Sequence, residues 1–280
     1  MAPEMLLFSK KVWDTLTLAA LGKAALPHNM ANLATDRSGH WLFSASYGRN
    51  QLAVSPIGAD GIARGAQQVL ATPPHAHAIH ADPSNRFVFT TSLGGVVLQF
   101  CFDAASGMLA PNASPALLPH DAASPRHFVF GRDGRFVYLL NELDATIDAL
   151  VFDSRAGTLR TLQTIGSMPP DFSGEPWAAD LHLSPDGRFL YTSERRSSTL
   201  AALSVDAASG ELALIGHTPT EVQPRSFAIT PDGRHLIAAG QLSHRLSVYA
   251  IDAQTGALAK RSDCAAGQKP NWIEVVELEL

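Results

Sequence analysis

Arg126, Arg195 and Arg225 are the residues of this sequence whose chemistry points most directly to an anion. A guanidinium offers a planar fork of donors that meets phosphate or carboxylate bidentately and with charge assistance. Ion pairs with Asp or Glu are the other common use of such arginines, and the sequence leaves both open. Glu142, in Asn-Glu-Leu, could neutralise them or serve as a general base. His75 and His77 lie two apart, which on a regular strand places them on one face and His80 on the other. Such a pair can transfer protons, hydrogen-bond or ligate zinc, but no third ligand at a familiar zinc spacing accompanies it. His127 follows Arg126 directly. Asp180 and His182 alternate in Ala-Ala-Asp-Leu-His, either to contact a ligand or to tie neighbouring elements together. There is neither a Gly-rich phosphate loop nor a G-x-S-x-G elbow, which disfavours a covalent serine mechanism. No metal and no cofactor is expected.

The elements that must position these residues are announced by a repeat. TDRSGHWLF from Thr35 recurs as ADPSNRFVF from Ala81, FGRDGRFVY from Phe130, LSPDGRFLY from Leu183 and ITPDGRHLI from Ile229. Its turn residues Gly39, Asn85, Gly134, Gly187 and Gly233 are spaced 46, 49, 53 and 46 apart. Asp, Pro, Asn and Gly supply a hairpin turn, Gly or Asn tolerating a positive φ, and alternating apolar residues follow in the next strand. A second motif trails each hairpin: IGADGIA from Ile57, DAASGML from Asp103, DSRAGTL from Asp153, DAASGEL from Asp206 and DAQTGAL from Asp252. It reads as the turn between the third and fourth strands of the same unit.

Four short strands about every 48 residues, with almost no helical periodicity, describe an all-β propeller of four-stranded antiparallel blades. The GH and WD signatures of the WD40 class are absent. The reading is a single domain over 1–280. It has partial outer strands in 1–29, five complete blades in 30–264, and an inner strand of a closing blade in 265–280, centred on Trp272 to Glu277. In a propeller the first strand of each blade lines the central channel, so polar residues near its start can converge from different blades.

Composition narrows the partners. A net charge of −5 argues against nucleic acid or a membrane surface, either of which selects clustered Lys and Arg. No run approaches the roughly 20 apolar residues of a membrane span. Cys101 and Cys264 form neither a CxxC pair nor a disulfide framework and are expected as free thiols in a reducing cytoplasm.

Taken in order, His75-Ala-His77, Pro125-Arg126-His127, Asn141-Glu142-Leu143, Ala178-Ala179-Asp180-Leu181-His182, Arg195, Gln223-Pro224-Arg225-Ser226-Phe227 and Gly267-Gln268-Lys269-Pro270-Asn271-Trp272 resemble the propeller-type 6-phosphogluconolactonase family, a relative of the carboxy-muconate lactonising enzyme. The resemblance runs from about Ala25 to Trp272. It implies a seven-bladed parent ring, with about one N-terminal blade lacking here, and a gap between the N-terminal strands and the C-terminal one. It also implies a site at His77, Arg126, Glu142 and Arg195. His75, His127, Asp180, His182 and Arg225 are expected to contact substrate. Thr91-Ser92-Leu93-Gly94 stands where many relatives carry aspartate-leucine-glycine, so one wall of the site is expected to be less acidic.

The implied activity is hydrolysis of 6-phospho-D-glucono-1,5-lactone to 6-phosphogluconate, in the pentose phosphate pathway. Its partner is a small anionic lactone. The chemistry needs an activated water, with Glu142 or His77 as base, and arginines for the oxyanion and the phosphate. Another sugar-acid or carboxylated lactone, and a propeller that binds without catalysis, are the alternatives.

Overall fold

The computed structural model describes residues 22–121 and 123–276. Five four-stranded antiparallel sheets, each a simple meander, follow one another along the chain. The first holds β1 (Asn32–Thr35), β2 (Trp41–Ser46), β3 (Gln51–Pro56) and β4 (Gln68–Ala71). The second holds β5 (Ala76–Ala81), β6 (Phe87–Ser92), β7 (Val96–Asp103) and β8 (Met108–Leu117). β9 (Pro125–Phe130), β10 (Phe136–Asn141), β11 (Thr146–Asp153) and β12 (Thr158–Gly166) form the third. The fourth is β13 (Ala178–Leu183), β14 (Phe189–Glu194), β15 (Thr199–Val205) and β16 (Leu212–Pro219), and the fifth β17 (Pro224–Ile229), β18 (His235–Gly240), β19 (Arg245–Ile251) and β20 (Leu258–Ala265). These are propeller blades. Both repeated motifs fall where the sequence puts them, between the first and second strands and between the third and fourth.

The outer strands expected before residue 22, and Glu277 at the end of the expected inner strand, lie outside the described residues, as does the expected gap in the ring. Residues 266–276 carry no strand. This segment is anchored instead by the Ile273 N–H, which donates to Ser226 Oγ at 3.2 Å.

The core sits between blades rather than within them. Phe43 and Val54 pack on Ile79 and Phe102, and Phe89 and Val97 on Phe128 and Phe152. Tyr138 and Ile147 pack on Leu190 and Leu203, and Tyr191 on Phe227 and Tyr249. The second strands of the three middle blades are covered on both faces, which is why β6, β10 and β14 are buried at every position, whereas β2 and β18 are not.

A repeated Arg-aromatic pair latches the second, third and fourth blades each to the next. Arg86, Arg135 and Arg188 lie 5.2, 5.0 and 5.0 Å from the ring centroids of Phe87, Phe136 and Phe189. Their guanidinium N–H groups donate to Ser154, Ala207 and Ala253 carbonyls in the outer turn of the following blade. The glycine of that turn lies flat under the aromatic ring. Gly157 has φ 68° and a Cβ there would enter the Phe87 ring, whereas Gly39, φ 73°, faces open space. Gly39→Ala is therefore expected to cost about 1–2 kcal/mol, the left-handed backbone term alone. Gly157→Ala adds overpacking and should cost about 3 kcal/mol or more. Urea denaturation of both variants checks this, and equal losses would show that the latch is loose.

Candidate active site

Inner strands deliver their side chains to the channel through bulges. Ala76 pairs with Ser92 and Ile79 with Thr90, so His77 and Ala78 together oppose Thr91. Arg126 and His127 oppose Leu140 in the same way, and Ala179 and Asp180 oppose Ser193. Arg225 is the extra residue between Pro224 and Ser226. A bulge breaks the two-residue alternation and re-aims a side chain. The neighbouring strands hold these bulges in place: Thr91 Oγ1 accepts from the Ala78 N–H at 3.0 Å and donates to the Arg126 carbonyl at 2.5 Å.

Glu142, just after β10, stands at the centre and is 8 % exposed. Its Oε2 accepts from Arg126 Nε at 2.6 Å, and its Oε1 accepts from Trp177 Nε1 at 2.9 Å and pairs with Arg195 Nη2 at 3.2 Å. Burial alone would raise this carboxyl, but Arg126, Arg195 and the Trp177 N–H outweigh it and hold Glu142 below its ordinary value. Arg126 also donates through Nη1 to the Ala179 carbonyl, and Nη1 lies 3.3 Å from His127 Nε2. Arg195 stacks 3.7 Å from the Trp177 ring centroid and donates to the Trp177 and Ala178 carbonyls at 3.0 and 2.8 Å. Burial, then the nearby charge of Arg126, pushes Arg195 down to about 9, which leaves it cationic at neutral pH.

Both arginines are thus ion-paired, the structural use that the sequence left open, yet each keeps nitrogen unspent. Arg126 Nη2 and Arg195 Nη1 have no partner among the described residues. Arg225, half-buried on β17, has no carboxylate partner among them either. Two guanidinium groups therefore share one carboxylate, and a third close to them has none.

His77 is buried, and its Nδ1 has no hydrogen-bond partner. Burial first, then Arg126, His127, Arg225 and Arg195, holds it well below the ordinary imidazole value, so it is neutral at neutral pH. Its ring meets His127 edge-on at 4.9 Å, and Tyr47 at 6.3 Å. His75 departs from the expectation of a shared strand face. It precedes β5, takes φ 66° and is exposed, with its N–H on Asn50 Oδ1 and its ring stacked on Tyr47 at 4.3 Å. The two histidines meet through Tyr47, not through strand alternation.

Asp180 accepts from the Leu181 N–H at 3.0 Å and from the Phe227 N–H at 3.1 Å, and it pairs with His127 Nδ1 at 2.7 Å and His182 Nε2 at 3.3 Å. It ties the third, fourth and fifth blades. Burial would raise it, but His182 and His127 hold it well down. His182 is raised in turn, Asp180 overcoming burial, and its ring stands edge-on to Phe227 at 4.8 Å. Trp272 and Tyr47, 53 % and 40 % exposed, close the two ends of the aromatic wall formed by His77 and His127.

Sequence reasoning nominated neither Tyr47, Trp177 nor Trp272. A cleft of about 370 Å³ between the third and fourth blades, lined by Arg132, Phe136, Tyr138, Asp186 and Asp206, lies at the opposite, turn end of the blades and holds none of the nominated residues.

An assembly of this kind offers an anion several free donors next to a neutral imidazole. The comparisons agree with that chemistry. Residues 9–275 match the family model described as Lactonase, 7-bladed beta-propeller. The chain is 39 % identical over 277 residues to 6-phosphogluconolactonase of Pectobacterium carotovorum subsp. carotovorum (strain PC1), covering 99 % of this chain and 83 % of that one. A solved periplasmic gluconolactonase from Pseudomonas aeruginosa superposes with a TM-score of 0.79 at 31 % identity, over 84 % of this chain and 70 % of its own. A structure from Lactobacillus plantarum gives 0.83 at 28 % identity, over 89 % and 74 %. With the family model matching residues 9–275 and the Pectobacterium relative matching 99 % of the chain, the chain belongs to the seven-bladed β-propeller lactonase family.

Proposed function

We propose that this chain hydrolyses 6-phospho-D-glucono-1,5-lactone to 6-phosphogluconate. The observation that carries the reading is the pairing of both Arg126 and Arg195 with the single carboxylate of Glu142, close to a third arginine, Arg225, that has no carboxylate partner among the described residues, and to the unpartnered Nδ1 of His77. A net positive, partly dry site favours a substrate that carries a phosphate and develops an oxyanion.

His77 is the base in this reading, not Glu142. Glu142 already accepts three donors and has a lowered proton affinity, so it serves as the clamp that fixes both arginines. His77 takes a proton from the attacking water as the new C–O bond forms at the lactone carbonyl. Arg126 Nη2 and Arg195 Nη1 face the oxyanion. Collapse breaks the bond to the ring oxygen, which receives the proton back from His77 and leaves as the sugar hydroxyl. Arg225, the arginine without a carboxylate, holds the phosphate. The free thiols, Cys101 exposed and Cys264 partly so, favour the cytoplasm, and no helix among the described residues is long and apolar enough to cross a membrane.

Arg225→Ala tests the substrate. Losing a charged hydrogen-bond pair is worth about 1.5–3 kcal/mol, so KM for the phospholactone should rise roughly 10- to 100-fold while free gluconolactone is unaffected. Equal effects on both substrates would move the reading to an unphosphorylated sugar-acid lactone, for which the Pseudomonas aeruginosa relative is named.

A further inference from the structure

We propose that Asp180 is a positioning residue that acts through His127 to aim Arg126 at the reacting carbonyl. The inference rests on the functional reading above, but its structural half does not.

Asp180 is 1 % exposed and is fixed from three blades. Two backbone N–H groups, of Leu181 and Phe227, hold its oxygens at 3.0 and 3.1 Å. The same carboxylate lies 2.7 Å from His127 Nδ1. An ionised carboxylate only accepts, so Nδ1 must carry the proton. Burial, followed by Arg126, lowers the proton affinity of His127, which keeps the second nitrogen bare. His127 Nε2 therefore presents a lone pair to Arg126 Nη1, 3.3 Å away. With Nε on Glu142 and Nη1 shared between the Ala179 carbonyl and His127, the guanidinium plane is fixed at three points and Nη2 is the nitrogen left for substrate.

The tautomer is the working part. In Asp180→Asn one amide oxygen is left for the Leu181 and Phe227 N–H groups, and with the amide nitrogen turned to His127 Nδ1 the ring proton moves to Nε2. Nε2 would then confront Arg126 donor to donor, and the guanidinium would turn away. His127→Phe removes the same acceptor without disturbing the Leu181 and Phe227 contacts of Asp180, so it carries the test even where Asp180→Asn folds poorly.

Both single variants and the double should be assayed on the phospholactone, with the His127 ring nitrogens followed by 15N NMR. Expected are a kcat lowered about tenfold or more in each single variant with KM within about twofold, and a double variant no worse than the poorer single. The wild-type ring should read Nδ1–H and the Asp180→Asn ring Nε2–H. Multiplying losses, an unchanged kcat, or an Nε2–H ring in the wild type would overturn the proposal. A wild-type chain with no lactonase activity but the expected tautomer switch would overturn the functional reading and the kinetic half of this one, and leave the hydrogen-bond relay standing.

Discussion

Arg126→Ala is expected to remove about 2–4 kcal/mol of transition-state stabilisation, a fall in kcat/KM of roughly 30- to 1,000-fold. The arginine holds Glu142 and the Ala179 carbonyl and keeps Nη2 without a partner among the described residues, so the loss is one of geometry as much as of charge. Glu142 stays buried with only Arg195 and Trp177 as partners, and breaking one arm of a buried ion pair destabilises. The melting temperature should fall, with kinetics measured well below it. Near-native turnover in the folded variant would make Arg126 structural.

His77→Asn is the second large effect, with kcat lowered about a hundredfold or more. The pH profile makes it diagnostic. His77 is held well below its ordinary 6.5, so the active neutral form persists as pH falls through 6.5 and is lost only beneath it. The acid limb of kcat/KM in the wild type should therefore lie below pH 6.5, and in His77→Asn it should disappear. Glu142→Gln is the control. It should lower kcat strongly, because both arginines lose their anchor, yet keep the acid limb. An acid limb abolished by Glu142→Gln and retained by His77→Asn would reverse the two roles.

The blades were legible because their turns demand particular residues: Gly39, Gly134, Gly187, Gly233 and Asn85 all take positive φ. Much of the site was legible for a related reason. Aligned on the repeat, the second residue of each inner strand is Leu33, His77, Arg126, Ala179 or Arg225, and the residue after each second strand is Tyr47, Leu93, Glu142, Arg195 or Gln241. Tyr47 stands in the same column as Glu142 and Arg195, so the register alone could have found it. Trp177 and Trp272 occupy neither column, one lying just before β13 and the other in a segment without a strand. The roles were harder to read than the positions. Bulges have no side-chain period, so the sequence could not tell that His75 would leave its strand or that Trp177 and two arginines would all close on Glu142.

The most direct measurement is the rate of 6-phosphogluconate formation from freshly generated 6-phosphogluconolactone, followed by a coupled 6-phosphogluconate dehydrogenase beside a control without the protein. A rate above spontaneous hydrolysis that scales with protein concentration is expected, with a clear preference over free gluconolactone that Arg225→Ala abolishes. A correctly folded chain that adds nothing to the spontaneous rate on either lactone would contradict it and leave a propeller that binds without catalysing.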